Sequence, residues 1–312
     1  MSDADERIER FETPRDWLRY AIGRFRAADL AFGHGATTAL DEAAYLILEG
    51  LHLPIDTLDP FLDAKLLINE RRRLEALIEA RVTTRKPAAY LLRRAYVQGV
   101  PFYVDERVIV PRSYIGELLM TELAEADGLI GDPEDVTRVL DLCTGGGSLA
   151  ILAARVFPNA AVDAADLSAD ALEVAKRNVE DHDLADRVRL FKGDLFEPLE
   201  DALYDLILTN PPYVDAEAVA AFPPEYAAEP LMAHAGGEDG LDIVRRILSE
   251  AGAHLTPEGV LICEIGRGRE RLIEDYPDLP FVWLDTEESV GEVFLLRAED
   301  LDVPKRRSKR KG

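Results

Sequence analysis

The most specific chemistry in this chain lies in Asn210-Pro211-Pro212-Tyr213. These residues follow Tyr204–Thr209, a short apolar run whose length and composition predict a buried strand. Consecutive prolines cannot continue a sheet ladder, so the backbone must leave the sheet in a rigid turn. A carboxamide, fixed backbone carbonyls and an aromatic ring are thereby presented together at a strand end. That set suits a planar, amide-like nitrogen. The plainer alternative is a Pro-Pro strand stop with an incidental Asn cap.

Three further features predict a nucleoside pocket. Asp141-Leu-Cys-Thr144-Gly145-Gly-Gly147 runs from an apolar strand straight into a helical pattern. Glycines at such a bend let the backbone approach a ligand closely and permit positive φ. It is neither a GxGxxG dinucleotide fingerprint nor a GxxxxGK[ST] phosphate loop, so a pyrophosphate is the weaker expectation. About twenty residues on, the next strand ends at Asp166, where ribose hydroxyls are held in doubly wound sheets. The third strand ends near Asp194-Leu195, a second carboxylate at the same edge. Each acid alone could be an ordinary loop or cap residue.

These residues need a sheet to align them. From Ser113 onward, helical patterns alternate with short apolar runs at 136–142, 160–165, 187–192, 204–209, 260–264, 281–284 and 292–296. Alternation of this kind implies an α/β, mostly parallel sheet covered on both faces. Only a polar turn separates the last two strands, which predicts an antiparallel pair. The N-terminal hundred residues are instead helix-periodic: one segment opens at Pro14, one follows Thr37-Thr38, and one runs over 59–85. Residues 96–110 are expected to form a hairpin with Asp105-Glu106 between its strands. The expected organisation is a helical domain over 1–95, a hairpin linker over 96–112, a catalytic domain over 113–300 and a basic tail over 301–312.

Composition narrows the classes of function. The chain has 312 residues, with 60 Asp+Glu against 36 Lys+Arg, a formal charge of −24 that argues against broad phosphate-backbone binding. The exception is 305–311, with six basic residues in seven, which reads as a solvated tail or as an arm making weak RNA contact. No apolar run is long enough for a membrane span, and the N-terminus lacks the basic and apolar regions of a secretory signal. Two cysteines, Cys143 and Cys263, have no metal-type spacing. No metal site is expected, and a reducing cytoplasm fits best.

Taken together, the glycine bend, Asp166, Asp194 and the Asn-Pro-Pro-Tyr turn resemble class I S-adenosylmethionine-dependent methyltransferases that modify amino nitrogens. Cys143 departs from that pattern, standing where the superfamily usually has its first loop glycine. Within the superfamily, nearly the whole chain resembles protein-glutamine N-methyltransferases. Val110-Pro111-Arg112-Ser113, Gly236-Gly-Glu-Asp-Gly-Leu241 and Cys263-Glu-Ile-Gly266 match as well. Release-factor enzymes usually carry Pro-Arg-Pro-Glu-Thr-Glu after the hairpin. Pro111-Arg-Ser-Tyr-Ile-Gly-Glu117 resembles instead the branch acting on large-subunit ribosomal protein L-three (uL3), as do Phe222-Pro-Pro-Glu-Tyr226 and the stretch 42–65.

The resemblance implies a seven-stranded sheet with its last strand antiparallel, S-adenosyl-L-methionine as cofactor and a basic ribosomal protein as substrate. It implies that Asp141, Thr144, Gly145, Gly147, Asp166, Asp194, Leu195 and Asn210 line the cofactor site. Asn210, Pro211, Pro212 and Tyr213 would receive the acceptor glutamine, with Arg112 positioning substrate. An adenine-N6 DNA methyltransferase also uses Asn-Pro-Pro-Tyr, but would need a basic groove that this acidic chain lacks. A nucleoside-binding assembly factor without catalysis is the non-enzymatic rival.

Overall fold

Local signals start two of the N-terminal helices where the sequence suggests. Thr13 caps α2 (Pro14–Ala27) in a reciprocal box with Asp16, and Pro14 occupies the first turn, where no amide partner is lost. Thr38 caps α3 (Ala39–Gly50). The computed structural model describes residues 2–126, 128–287 and 289–301, so the basic stretch 305–311 lies outside the described residues. The polar N-terminus adds a helix that the sequence reading did not anticipate, α1 (Asp3–Arg10), boxed by Ser2 and Asp5.

The chain divides into two compact units, Met1–Arg112 with Phe222–Pro230, and Ser113–Ala221 with Leu231–Gly312. In the first, Trp17, Phe25, Leu46, Ile47, Leu74 and Ile78 form the core between α2, α3 and α4 (Ile68–Thr84). The single helix expected over 59–85 is divided. Only a 3-10 turn forms at Asp59–Phe61, and α4 begins at Ile68. The intervening backbone is committed elsewhere: Arg15 donates to the Leu62 carbonyl (3.1 Å) and the Leu66 amide donates to Glu12 (2.8 Å). A continuous helix would need both groups for its own ladder.

After α5 (Ala88–Leu92), strands β1 (Ala95–Val97) and β2 (Val100–Phe102) pair antiparallel. Their turn is Gln98-Gly99, with φ of 50° and 72°, rather than Asp105-Glu106. Two positive φ values match the twist of a tight hairpin. Asp105 instead closes a separate turn, accepting from the amide and guanidinium of Arg107. The hairpin is part of the first unit, not a linker outside it.

Phe222–Pro230, expected within a continuous catalytic domain, also belongs to the first unit. Two buried carboxylates hold it there. Glu225 accepts from the Ala31 amide (3.2 Å) and pairs with Arg85 (2.7 Å), close to the fully buried Arg81, which itself pairs with Glu42. Glu229 accepts from the Val110 amide (2.9 Å) and from both terminal nitrogens of Arg112 (2.8 Å each). Buried acids of this kind are tolerated only when paired and hydrogen-bonded.

The second unit opens with α6 (Tyr114–Met120) and holds a seven-stranded sheet. Its strands are β3 (Arg138–Leu142), β4 (Ala161–Asp166), β5 (Val188–Lys192), β6 (Tyr204–Thr209), β7 (Leu255–Glu264), β8 (Val282–Leu284) and β9 (Val293–Arg297). The order is β5-β4-β3-β6-β7-β9-β8, parallel from β5 to β7, with β9 antiparallel to both neighbours. This is the expected topology, including the closing antiparallel pair. Helices α7 (Ser148–Val156) and α8 (Ala169–Asp181) form the crossovers beside β3 and β4. The short α9 (Ala216–Ala220) follows β6, and α10 (Asp242–Glu250), α11 (Arg269–Asp275) and α12 (Ala298–Leu301) complete the unit. Leu140, Ile207, Val244, Leu261 and Phe294 share one of its buried cores.

Candidate active site

The order of the strands reverses direction between β3 and β6: the chain winds outward from β3 to β5, then returns to build β6 and β7 on the other side. Crevices form at the carboxyl ends of strands at such a switch point. Leu142 pairs with Thr209, whose hydroxyl donates to the Leu142 carbonyl (3.0 Å). The glycine bend and the Asn-Pro-Pro-Tyr turn therefore leave adjacent strands at one level. Asp166 ends the neighbouring β4, Asp194 follows β5, and Glu264 ends β7.

Asp141 is almost fully buried and organises the bend. Its Oδ2 accepts from the Thr144 hydroxyl (2.6 Å) and from the Ala150 amide (3.0 Å), the third residue of α7. It thereby supplies the N-terminal cap that α7 lacks locally, since Gly147 precedes the helix with φ of 82° and offers no side chain. Thr144 donates its hydroxyl inward, so both residues build the loop rather than offer their polar groups outward. Cys143 adopts φ of 58°, the left-handed geometry that favours glycine. Asn178 of α8 fastens the loop from behind, donating to the Gly146 carbonyl (2.8 Å). Sequence reasoning did not single it out, because a helical Asn carries no local signal of a distant partner.

Asp166 faces this bend, accepting from the Gly145 amide through Oδ2 and from the Ser168 amide through Oδ1 (2.8 Å each). Burial raises its carboxyl pKa, against the opposing effect of those amides. Both oxygens keep acceptor capacity for hydroxyl donors. Around Gly145, at φ of 54°, a methyl group would meet nothing within 4 Å, so the backbone borders open space beside the carboxylate. Leu195 is buried at φ of 50°, while Asp194 forms a bidentate pair with Arg246 (3.0 and 2.9 Å). An open glycine wall thus lies beside a buried carboxylate whose oxygens can accept from hydroxyl donors.

Burial pushes the carboxyl pKa values of Asp141 and Glu264 up to about 7. The unfolded chain would release those protons near pH ~4. Between about pH 4 and 7 the folded state therefore holds more protons, and this contribution to stability is lost as pH rises. We expect Asp141→Asn to remove part of that loss: denaturant midpoints at pH 5 and pH 8 should differ less than in the wild type. An unchanged difference would mean that Asp141 is ionised throughout.

Asn210 is half-buried at the exit of β6, and Pro211 is buried behind it. Val214 then forms a parallel bridge with Ala235, donating to the His234 carbonyl and accepting from the Gly236 amide (2.9 Å each). A Cβ on Gly240 would lie 2.3 Å from the Tyr213 carbonyl oxygen, so only glycine allows this loop to approach. The Tyr213 hydroxyl donates to Glu264 Oε1 (2.9 Å). Glu264 Oε2 accepts from the Ser113 hydroxyl (2.7 Å) and the Tyr114 amide (3.0 Å). Glu264 is a weaker candidate on the sequence, left outside the expected site set. Its signal was a carboxylate at the end of another parallel strand, in Cys263-Glu-Ile-Gly266. Arg112, expected at the substrate, donates from both terminal nitrogens to Glu229 and from one also to the Val110 carbonyl. Among the described residues no acidic or His/Cys cluster is arranged to hold a metal, and no helix is long and apolar enough to cross a membrane.

A family model described as "methyltransferase small domain" matches residues 116–222. The chain is 61% identical over 290 residues to the ribosomal protein uL3 glutamine methyltransferase of Bradyrhizobium diazoefficiens, covering 92% of this chain and 91% of that protein. It is 54% identical over 295 residues to the protein of the same name from Bordetella pertussis, covering 95% and 98%. A third, from Neisseria meningitidis serogroup B, is 52% identical over 300 residues, covering 95% and 97%. The "hMettl16 catalytic domain" superposes with a TM-score of 0.50 at 18% identity, covering 71% of this chain and 82% of that one, a likeness of fold alone. With the sheet order, it supports a class I S-adenosylmethionine-dependent methyltransferase fold.

Proposed function

The chain belongs to the ribosomal protein uL3 glutamine methyltransferase family, and from that premise we propose that it methylates the side-chain amide nitrogen of a glutamine in uL3. The observation that carries the reading is identity above half over nearly the full length, joined to an Asn-Pro-Pro-Tyr turn at the sheet's switch point. S-adenosyl-L-methionine would supply an electrophilic methyl group on a sulfonium centre. Asp166 would accept its ribose hydroxyls, the backbone from Thr144 to Gly147 would border it, and Leu195 with Asp194 would flank the adenine.

An amide nitrogen is a poor nucleophile because its lone pair is delocalised into the carbonyl. The protein must hold that nitrogen in line with the methyl group and favour positive charge building on it. The Asn210 side-chain oxygen and the Pro211 carbonyl would each accept one amide hydrogen, fixing the plane of the group and stabilising that charge. Tyr213 would pack against the amide and exclude water. No strong base is needed before attack, since the amide proton can leave afterwards.

The charge of −24 suits encounter with a basic substrate before it is covered by RNA phosphates. The free thiols Cys143 and Cys263 suit a reducing cytoplasm. Incubation with labelled S-adenosylmethionine and either free uL3 or a release factor, followed by mass mapping, tests the assignment. We expect one methyl group on one uL3 glutamine. Labelling of the release factor with none on uL3 would overturn the choice of substrate.

A further inference from the structure

We propose that Glu264 is a positioning residue that sets the Tyr213 ring against the acceptor amide and ties its orientation to the start of α6. The inference rests on the glutamine-methyltransferase reading and extends it to a residue outside the Asn-Pro-Pro-Tyr turn. Two independent constraints act on Tyr213. Its hydroxyl is anchored on Glu264 Oε1 at 2.9 Å. Its ring edge lies against Gly266, where a Cβ would stand 2.7 and 2.8 Å from Cε2 and Cδ2. A side chain held at its tip and along its edge has no other rotamer available without breaking one contact.

The opposite carboxylate oxygen faces a different element. It takes the Ser113 hydroxyl and the Tyr114 amide, the cap and first residue of α6. Glu264 is 1% exposed, so solvent cannot replace any of these three donors if one is lost. One buried carboxylate therefore joins the strand end of β7, the first turn of α6 and the ring of Tyr213. That is the geometry of a group that orients other groups. Gly266, with φ of 53°, completes the seat and explains why Cys263-Glu-Ile-Gly266 ends in glycine.

The test uses the full chain with S-adenosylmethionine and uL3. Glu264→Gln keeps the shape of the side chain but gives one oxygen in place of two equivalent acceptors. We expect kcat to fall about 10- to 100-fold, the scale of a small misplacement at a reacting centre. Affinity for S-adenosylmethionine by calorimetry should stay within about twofold, because no contact to that half of the site is touched. Tyr213→Phe should show a similar loss, and the double variant should be no worse than the poorer single one, since both remove the same tether. Multiplying losses, or a wild-type kcat in Glu264→Gln, would overturn the proposal. If Glu264→Gln is too unstable to assay, Gly266→Ala displaces the ring by its edge and should lower kcat at constant cofactor affinity; unchanged kcat there would equally overturn it. Wild-type transfer to uL3 is measured alongside, so that failure of the substrate assignment is seen separately.

Discussion

Asn210→Ala is expected to lower turnover on uL3 by about 10²- to 10³-fold, the usual loss when one preorganised polar contact to developing charge is removed. Cofactor affinity should change by less than about threefold. The residue stands at the exit of β6, one strand from the glycine bend and on the acceptor side of the proposed pocket. The role proposed for it is to orient a nitrogen that resonance makes unreactive, so truncation should act on kcat more than on binding. Stopped-time label transfer together with titration calorimetry separates the two quantities. Equal losses in both would show that Asn210 mainly holds the cofactor, and the acceptor role would have to be reassigned.

The reverse pattern is expected for Asp166→Ala. Its carboxylate combines free acceptor capacity with an open glycine wall beside it. Losing charged hydrogen bonds to two hydroxyls should weaken S-adenosylmethionine binding by about 100-fold, at roughly 1.5 to 3 kcal/mol per bond before any compensation by water. Truncation also strips the Gly145 and Ser168 amides of their acceptor, which loosens the bend itself. Asp166→Asn distinguishes the two causes, because its amide oxygen can still accept one of those amides. An intermediate affinity for Asn supports ribose binding by the carboxylate. Unchanged calorimetric affinity in Asp166→Ala would sink the assignment.

Much of the fold was legible because its signals are local. Apolar runs of strand length separated by helical periods suffice to specify the parallel part of the sheet and its crossovers, since the central strands β3, β4 and β6 are largely buried and read as near-continuous apolar sequence. The closing pair was legible from a connection too short for a crossover helix. Local signals mislead where a long-range bond overrides them. The helix expected through 62–67 fails because the Leu62 carbonyl and the Leu66 amide bond to Arg15 and Glu12, residues about fifty positions away. The hairpin turn was misplaced by a pair of acidic residues, whereas Gln98-Gly99 satisfies the positive φ values that the twist demands.

By itself, then, the sequence determined the sheet, the glycine bend, the Asn-Pro-Pro-Tyr turn and the strand-end acids, all of which depend on residue type and on spacing along the chain. Only the tertiary structure decided which partners the polar groups take. Asp141 is turned inward to cap α7, Asp194 is paired with Arg246, and Arg112 is committed to Glu229. Glu264 is brought to Tyr213 across 51 positions, and Phe222–Pro230 is carried out of the sheet unit by two buried carboxylates. A charged side chain leaves no periodic trace of its partner; burial forces it to find one, and only the folded backbone determines which donors lie within reach.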